Sequence, residues 1–204
     1  MVDKYQNFAE LSRHEREFQV LALDRGSEVA IIAPHGGRIE PNTSEVAALI
    51  AADRYNLFCF NGLKQEDNRD LHLTSHKFDH PQALALVSTS RYVVAVHGCT
   101  LSTPMVYLGG LDIDLIEQIS RQLSALGIAH ESTVQRLRGT HQHNICNRGR
   151  EHRGVQLELS RGVRDSETAR HEVASAVRSV LSTKKTGRGK GVTSPCLLYT
   201  SDAA

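Results

Sequence analysis

Short apolar, β-branched runs alternate along this chain with segments of helical period, and that alternation constrains the fold more than any other feature. Residues 28–33 carry VAII, 57–60 read LFCF, 91–96 read RYVVAV and 155–159 read VQLEL, with a shorter run at 106–108. Runs of this length suit strands covered on both faces. Between them lie helical segments at 44–52, with Thr43 as expected N-cap, and at 81–87, opened by Pro81. Asp112 caps a further helix whose apolar face is Leu115, Ile116, Ile119, Leu123 and Leu126, stopped by Gly127. A last helix over 165–182 lines up Val173, Val177, Val180 and Leu181, and residues 3–17 read as a surface helix. Residues 61–80 are polar and too long for a plain connector, which marks them as functional. The expected fold is α/β, a mixed, mostly parallel sheet sandwiched by helices. In such folds ligands sit at the carboxyl ends of the strands.

Composition narrows the classes. The 204 residues contain 24 Lys and Arg against 23 Asp and Glu. Without residues 184–204 the balance is 20 basic to 22 acidic, a net −2. With only ten aromatic residues, that leaves no basic, aromatic-laced face for nucleic acid. No apolar run is long enough to cross a bilayer, and residues 1–20 lack a secretory h-region. Residues 1–183 are expected to form one domain. Residues 184–204 read as a flexible basic tail, and the final CLLYTSDAA at 196–204 resembles the translation of a transposase sequencing adapter. The remaining cysteines, Cys59, Cys99 and Cys146, are odd in number and widely spaced, which argues against a disulfide framework and for a reducing compartment.

The strand ends carry the chemistry. VAIIAP runs into His35, YVVAV runs into His97, VQLEL carries Glu158, and the turn after His35 leads to Glu40 through HGGRIE. Two imidazoles and a carboxylate at strand ends suit an open zinc site with one position left for water. The ordinary alternatives are hydrogen-bonded surface histidines, a Glu40 placed for a helix dipole, and a Glu158 on the solvent face. His72, His76 and His80 lie in the long loop and could join such a site, though loop histidines usually do not. His14, His130, His141, His143, His152 and His171 read as surface residues.

The segments APHGGRIEPNTSEVA, LHLTS, FDHPQAL, YVVAVHG, NICNRG and GVQLELSRGVR, in this order, resemble the phage-type poly-γ-glutamate hydrolases, a family whose members sometimes carry a phage replication label. The resemblance runs from about residue 5 to about 180. It implies a zinc-carboxypeptidase-like fold, zinc (Zn2+) held by His35, Glu40 and His97, and hydrolysis of γ-glutamyl amide bonds in bacterial capsule polymer. VQLELSR is similar to the strand that supplies the general base in zinc carboxypeptidases, which points to Glu158. Two departures stand out: the family usually has an acid where His80 sits, and the ligand spacing is HxxxxE where carboxypeptidases have HxxE. With no signal peptide expected, the protein is expected to be made in the cytoplasm and released by host lysis to act on capsule.

The chemistry suggests further roles. Zinc acidifies water and Glu158 moves the proton. Arg148 is the first candidate for a second oxyanion partner. Each substrate residue bears a free carboxylate, for which guanidinium forks are suited, so Arg161 and Arg164 are candidates, with solvated surface charge as the alternative. Asn147 is expected either to orient substrate or to hold its loop. A monomer acting on the polymer is expected. The rival readings are another zinc amidase or peptidase, acting on cell-wall or C-terminal peptide bonds, and a replication-associated nucleic-acid binder.

Overall fold

The computed structural model describes residues 3–132 and 137–184. The expected tail, including the adapter-like end, lies outside the described residues apart from Lys184.

The core is a seven-stranded sheet. In chain order the strands are β1 (Phe18–Leu23), β2 (Val29–Gly37), β3 (Asn56–Gly62), β4 (Tyr92–Gly98), β5 (Val106–Gly110), β6 (His130–Glu131) and β7 (Val155–Leu159), arranged β1-β3-β2-β4-β7-β5-β6. The pairs β2–β3, β2–β4, β4–β7 and β5–β6 are parallel, and β1–β3 and β5–β7 antiparallel. The helices are α1 (Phe8–His14), α2 (Thr43–Ala51), α3 (Pro81–Thr89), α4 (Ile113–Ala125), α5 (Arg161–Arg164) and α6 (Glu167–Ser182). This is the mixed, mostly parallel α/β architecture that the alternation implied.

Each central strand feeds two cores because successive side chains point to opposite faces. Val29, Ile31, Val94, Val96, Val155, Leu157 and Leu159 join the buried faces of α2, α4 and α6. Ile32, Phe58, Phe60, Val93 and Ala95 pack instead with Leu86 and Val87 of α3 and with Leu71, Leu73 and Phe78 of the long loop. By the same alternation His97 falls on the α3 side with Val93 and Ala95. Gln156 and Glu158 face that side too, since Val155, Leu157 and Leu159 are committed to the other.

Local chemistry explains the helix ends. The Asp112 carboxylate accepts from Leu115 N at 3.2 Å and Ser166 Oγ from Ala169 N at 3.3 Å, each satisfying an amide of the first turn. Pro81 opens α3, and His80 caps it by accepting from Gln82 N at 3.2 Å.

Several sequence expectations are corrected. The N-terminal helix covers only Phe8–His14, and it is followed by β1, a strand half-buried throughout whose apolar run VLAL lies outside the strands expected from sequence. Pro34–Gly37 does not end β2 but continues it, past a register shift between Ala33 and Gly36. Asn42, in the left-handed conformation, precedes α2, while the Thr43 hydroxyl donates back to Glu40 O at 2.8 Å. Leu126 is exposed beyond the apolar face of α4.

Candidate metal centre

The carboxyl ends of β2, β4 and β7 meet at a cavity of about 360 Å³ lined by residues that include His35, Glu40, His72, His97, Gln156 and Glu158. Sequence-local bonds build its first wall. After His35, Gly37 takes φ +62° and lies against Gly62, a backbone position that a side chain would strain. The turn closes when Glu40 N donates to His35 O at 2.9 Å, which returns the Glu40 carboxylate to the histidine it left. Glu40 Oε1 then lies 3.4 Å from His35 Nδ1, and Glu40 Oε2 accepts from Gly98 N at 2.8 Å. Tertiary packing brings His97 alongside, with its Nδ1 3.2 Å from His35 Nδ1 and 4.0 Å from Glu40 Oε2.

The donor set fits zinc. A tetrahedral ion with bonds of about 2.1 Å separates its ligand atoms by about 3.4 Å, close to these three spacings. His35 Nε2 lies 2.8 Å from Leu73 O, a bond it makes as donor, which leaves the Nδ1 lone pair facing Glu40 and His97. Burial disfavours a charged His35, but the Glu40 carboxylate outweighs it and raises the imidazole pKa. Burial likewise opposes the Glu40 charge, yet His35 holds that carboxyl down to about 2. Burial and neighbouring His35 push His97 down to about 3.

Glu158 sits beside His97, one strand over in the same register. Gln156 Nε2 donates to its Oε1 at 3.0 Å. Burial, then the charge of Glu40, pushes its carboxyl up to about 8.

The structure also places here residues that the sequence reading set aside. His72 stacks on His35 with ring centroids 4.0 Å apart, and its Nδ1 lies 3.1 Å from Asp3 Oδ1. His35, Glu40 and His72 offer ligand atoms within 4.8 Å of one another. The His72 and His35 rings stack at 28°, whereas the His35 and His97 rings meet at 64° with nitrogens facing. His76, His141 and Arg138 line the same cavity. Only the length and polarity of the 61–80 segment hinted at its share of these residues.

Three arginines and an asparagine stand elsewhere. Arg148 donates to Phe78 O at 3.4 Å and is not among the described residues lining the cavity. Arg161 is exposed and pairs with Asp165 at 3.2 Å, four residues along the chain. Arg164 is buried, 4% exposed, and its guanidinium donates to the carbonyls of Leu159, Pro41 and Cys99. Those bonds occupy the fork that was expected to read substrate. Asn147 is 1% exposed, with Nδ2 donating to Gly139 O and His141 O and Oδ1 accepting from Leu111 N and Gly154 N. It holds the loop and has nothing left for substrate.

The profile of the poly-gamma-glutamate hydrolase family matches residues 5–183. The chain belongs to that family. Its curated relatives in Bacillus subtilis (strain 168) include the SPbeta prophage-derived UPF0714 protein YoqZ, 38% identical over 162 residues, covering 78% of this chain and 59% of YoqZ. The UPF0714 protein YndL is 35% identical over 173 residues, covering 80% of this chain and 66% of YndL. The chain thus spans about two thirds or less of the length of these two relatives. Among solved structures, a bacteriophage poly-gamma-glutamate hydrolase superposes with TM-score 0.84 at 27% identity, covering 89% of this chain and 97% of that one. YndL in an apo, zinc-free form gives TM-score 0.84 at 29% identity, covering 89% and 98%. An N-formylglutamate amidohydrolase from Ralstonia eutropha shares the fold alone, at TM-score 0.54 and 11% identity.

Proposed function

We propose that this chain hydrolyses the γ-glutamyl amide bonds of poly-γ-glutamate, with zinc held by His35, Glu40 and His97 and with Glu158 as general base. The observation that carries the reading is the convergence of His35 Nδ1, His97 Nδ1 and Glu40 within 3.2–4.0 Å, with Glu158 in register beside His97. Family membership supplies the substrate class.

When bound, zinc supplies a positive charge that polarises an amide carbonyl and acidifies water. Glu158 carries the proton from the attacking water to the leaving amine nitrogen. A carboxylate beside the ligands is placed to take a proton from water and return it to the leaving group. Gln156 orients that carboxylate, and Asn144 in turn donates to Gln156 Oε1 at 2.7 Å. His72, fixed by Asp3, forms cavity wall beside the ligands. We take the physiological substrate to be bacterial capsule polymer, met after release by host lysis, with a monomer as the acting species and with no role for nucleic acid.

The test is direct. Purified protein should hold one zinc, release new amino termini from poly-γ-glutamate, lose that activity to a chelator and regain it with zinc. Stoichiometric zinc with no cleavage of the polymer would overturn the assignment.

A further inference from the structure

Each unit of a poly-γ-glutamate chain bears a free carboxylate, for which a guanidinium on the cavity wall is a suited partner. Arg161, Arg164 and Arg148 are engaged elsewhere, as described above. Among the described residues lining the cavity, Arg138 is the single arginine or lysine.

Its backbone is held with unusual completeness. Three consecutive carbonyls each accept a bond: Leu137 O from Gln156 Nε2 at 3.4 Å, Arg138 O from Gly110 N at 2.6 Å, and Gly139 O from Asn147 Nδ2 at 2.8 Å. Gly109 lets this strap lie flat on β5, since a Cβ there would collide with the Arg138 carbonyl. Gln156 ties the strap to the general base, because the same amide also donates to Glu158. The Arg138 side chain is exposed and makes no ion pair or side-chain hydrogen bond among the described residues. The pinned backbone fixes where this unpaired guanidinium is rooted on the cavity wall and leaves its fork free for a ligand carboxylate. His76 and His141, their ring centroids 4.9 Å apart, add imidazole nitrogens to the same wall.

We infer that Arg138 is the specificity-determining residue that takes the free α-carboxylate of a glutamyl unit flanking the scissile amide, through a guanidinium–carboxylate fork. The inference rests on the poly-γ-glutamate reading and deepens it. It also assigns the buried Asn147 an indirect part, since Asn147 anchors the strap that presents Arg138.

The experiment compares wild type, Arg138→Gln and Arg138→Lys on two γ-glutamyl oligomers, one with free α-carboxylates and one with them blocked as methyl amides. For the free oligomer, R138Q should lower kcat/KM by about 10- to 100-fold, carried mainly by KM, the range of one lost charge-assisted pair. R138K should recover part of that loss, because it restores charge without the fork. On the blocked oligomer all three should be alike. Zinc content and melting temperature should stay at wild-type values, since the side chain is exposed. Wild-type hydrolysis of the free oligomer with unchanged KM in R138Q would overturn the role of Arg138 alone. Failure of the zinc-loaded wild type to cut either oligomer would overturn the substrate reading, and this inference with it.

Discussion

His97 and Glu158 occupy the same register on neighbouring parallel strands, β4 and β7. Parallel pairing turns both side chains to one face, so an imidazole and a carboxylate more than sixty residues apart in sequence share one cavity wall. The pairing separates two roles that substitution can tell apart.

His35→Ala and His97→Ala should each abolish zinc retention after dialysis, since a three-donor site missing an imidazole holds metal weakly. His72→Ala should keep its zinc, because His97, whose Nδ1 faces His35 Nδ1 at 3.2 Å, is taken as the third donor in place of His72. Metal analysis of the three variants checks this. Zinc lost from His72→Ala and kept by His97→Ala would move the site onto the other imidazole.

Glu158→Gln keeps shape but cannot accept a proton. Turnover should fall about 10²- to 10⁴-fold with wild-type zinc content and little change in substrate binding. Zinc lost together with activity would make Glu158 a ligand instead.

Arg164 braces the site. Its guanidinium bonds the carbonyl of Pro41, next to Glu40, of Leu159, next to Glu158, and of Cys99, two residues after His97. Arg164→Lys cannot satisfy three carbonyls in one plane, so it should cost about 2–4 kcal/mol in denaturant unfolding and weaken zinc binding in a chelator competition. Wild-type stability with a raised KM would return Arg164 to a substrate-binding role.

His80 should make stability pH-dependent. Burial, against the opposing Asp79 charge, pushes its pKa down to about 4, and its neutral ring caps α3 by accepting from Gln82 N. The unfolded chain takes up a proton near pH 6.5, as a free imidazole does, whereas the folded one waits until about 4. The stabilisation is therefore complete above pH 6.5 and is lost as pH falls towards 4, to a limit of about 3 kcal/mol. Asn can cap without titrating, so thermal melts should show a shallower decline for His80→Asn across that window. Parallel pH profiles for the two proteins would refute the role.

The strands VAII, YVVAV and VQLEL, the cap at Asp112, the helix start at Pro81, and the candidates His35, Glu40, His97 and Glu158 were all legible in the sequence. Their signals are local: apolar runs, capping residues, and reactive groups at strand ends. The family motifs added a substrate class that no local pattern contains. β1 went unread although it carries the apolar run VLAL, because its place as a half-buried edge strand comes from its pairing with β3. The roles of the arginines and of Asn147 were not legible either. A guanidinium reads alike in sequence whether it meets solvent, a carboxylate or three buried carbonyls. Which of these it meets depends on contacts such as Arg164 with Pro41, separated by more than a hundred residues, and those exist only once the sheet has assembled. The same holds for Arg138, whose place on the cavity wall is set by Gly109, Gly110, Asn147 and Gln156 from other elements. Sequence determined which groups could react; tertiary packing decided which of them meet, because burial and hydrogen-bond pairing are properties of neighbours in space.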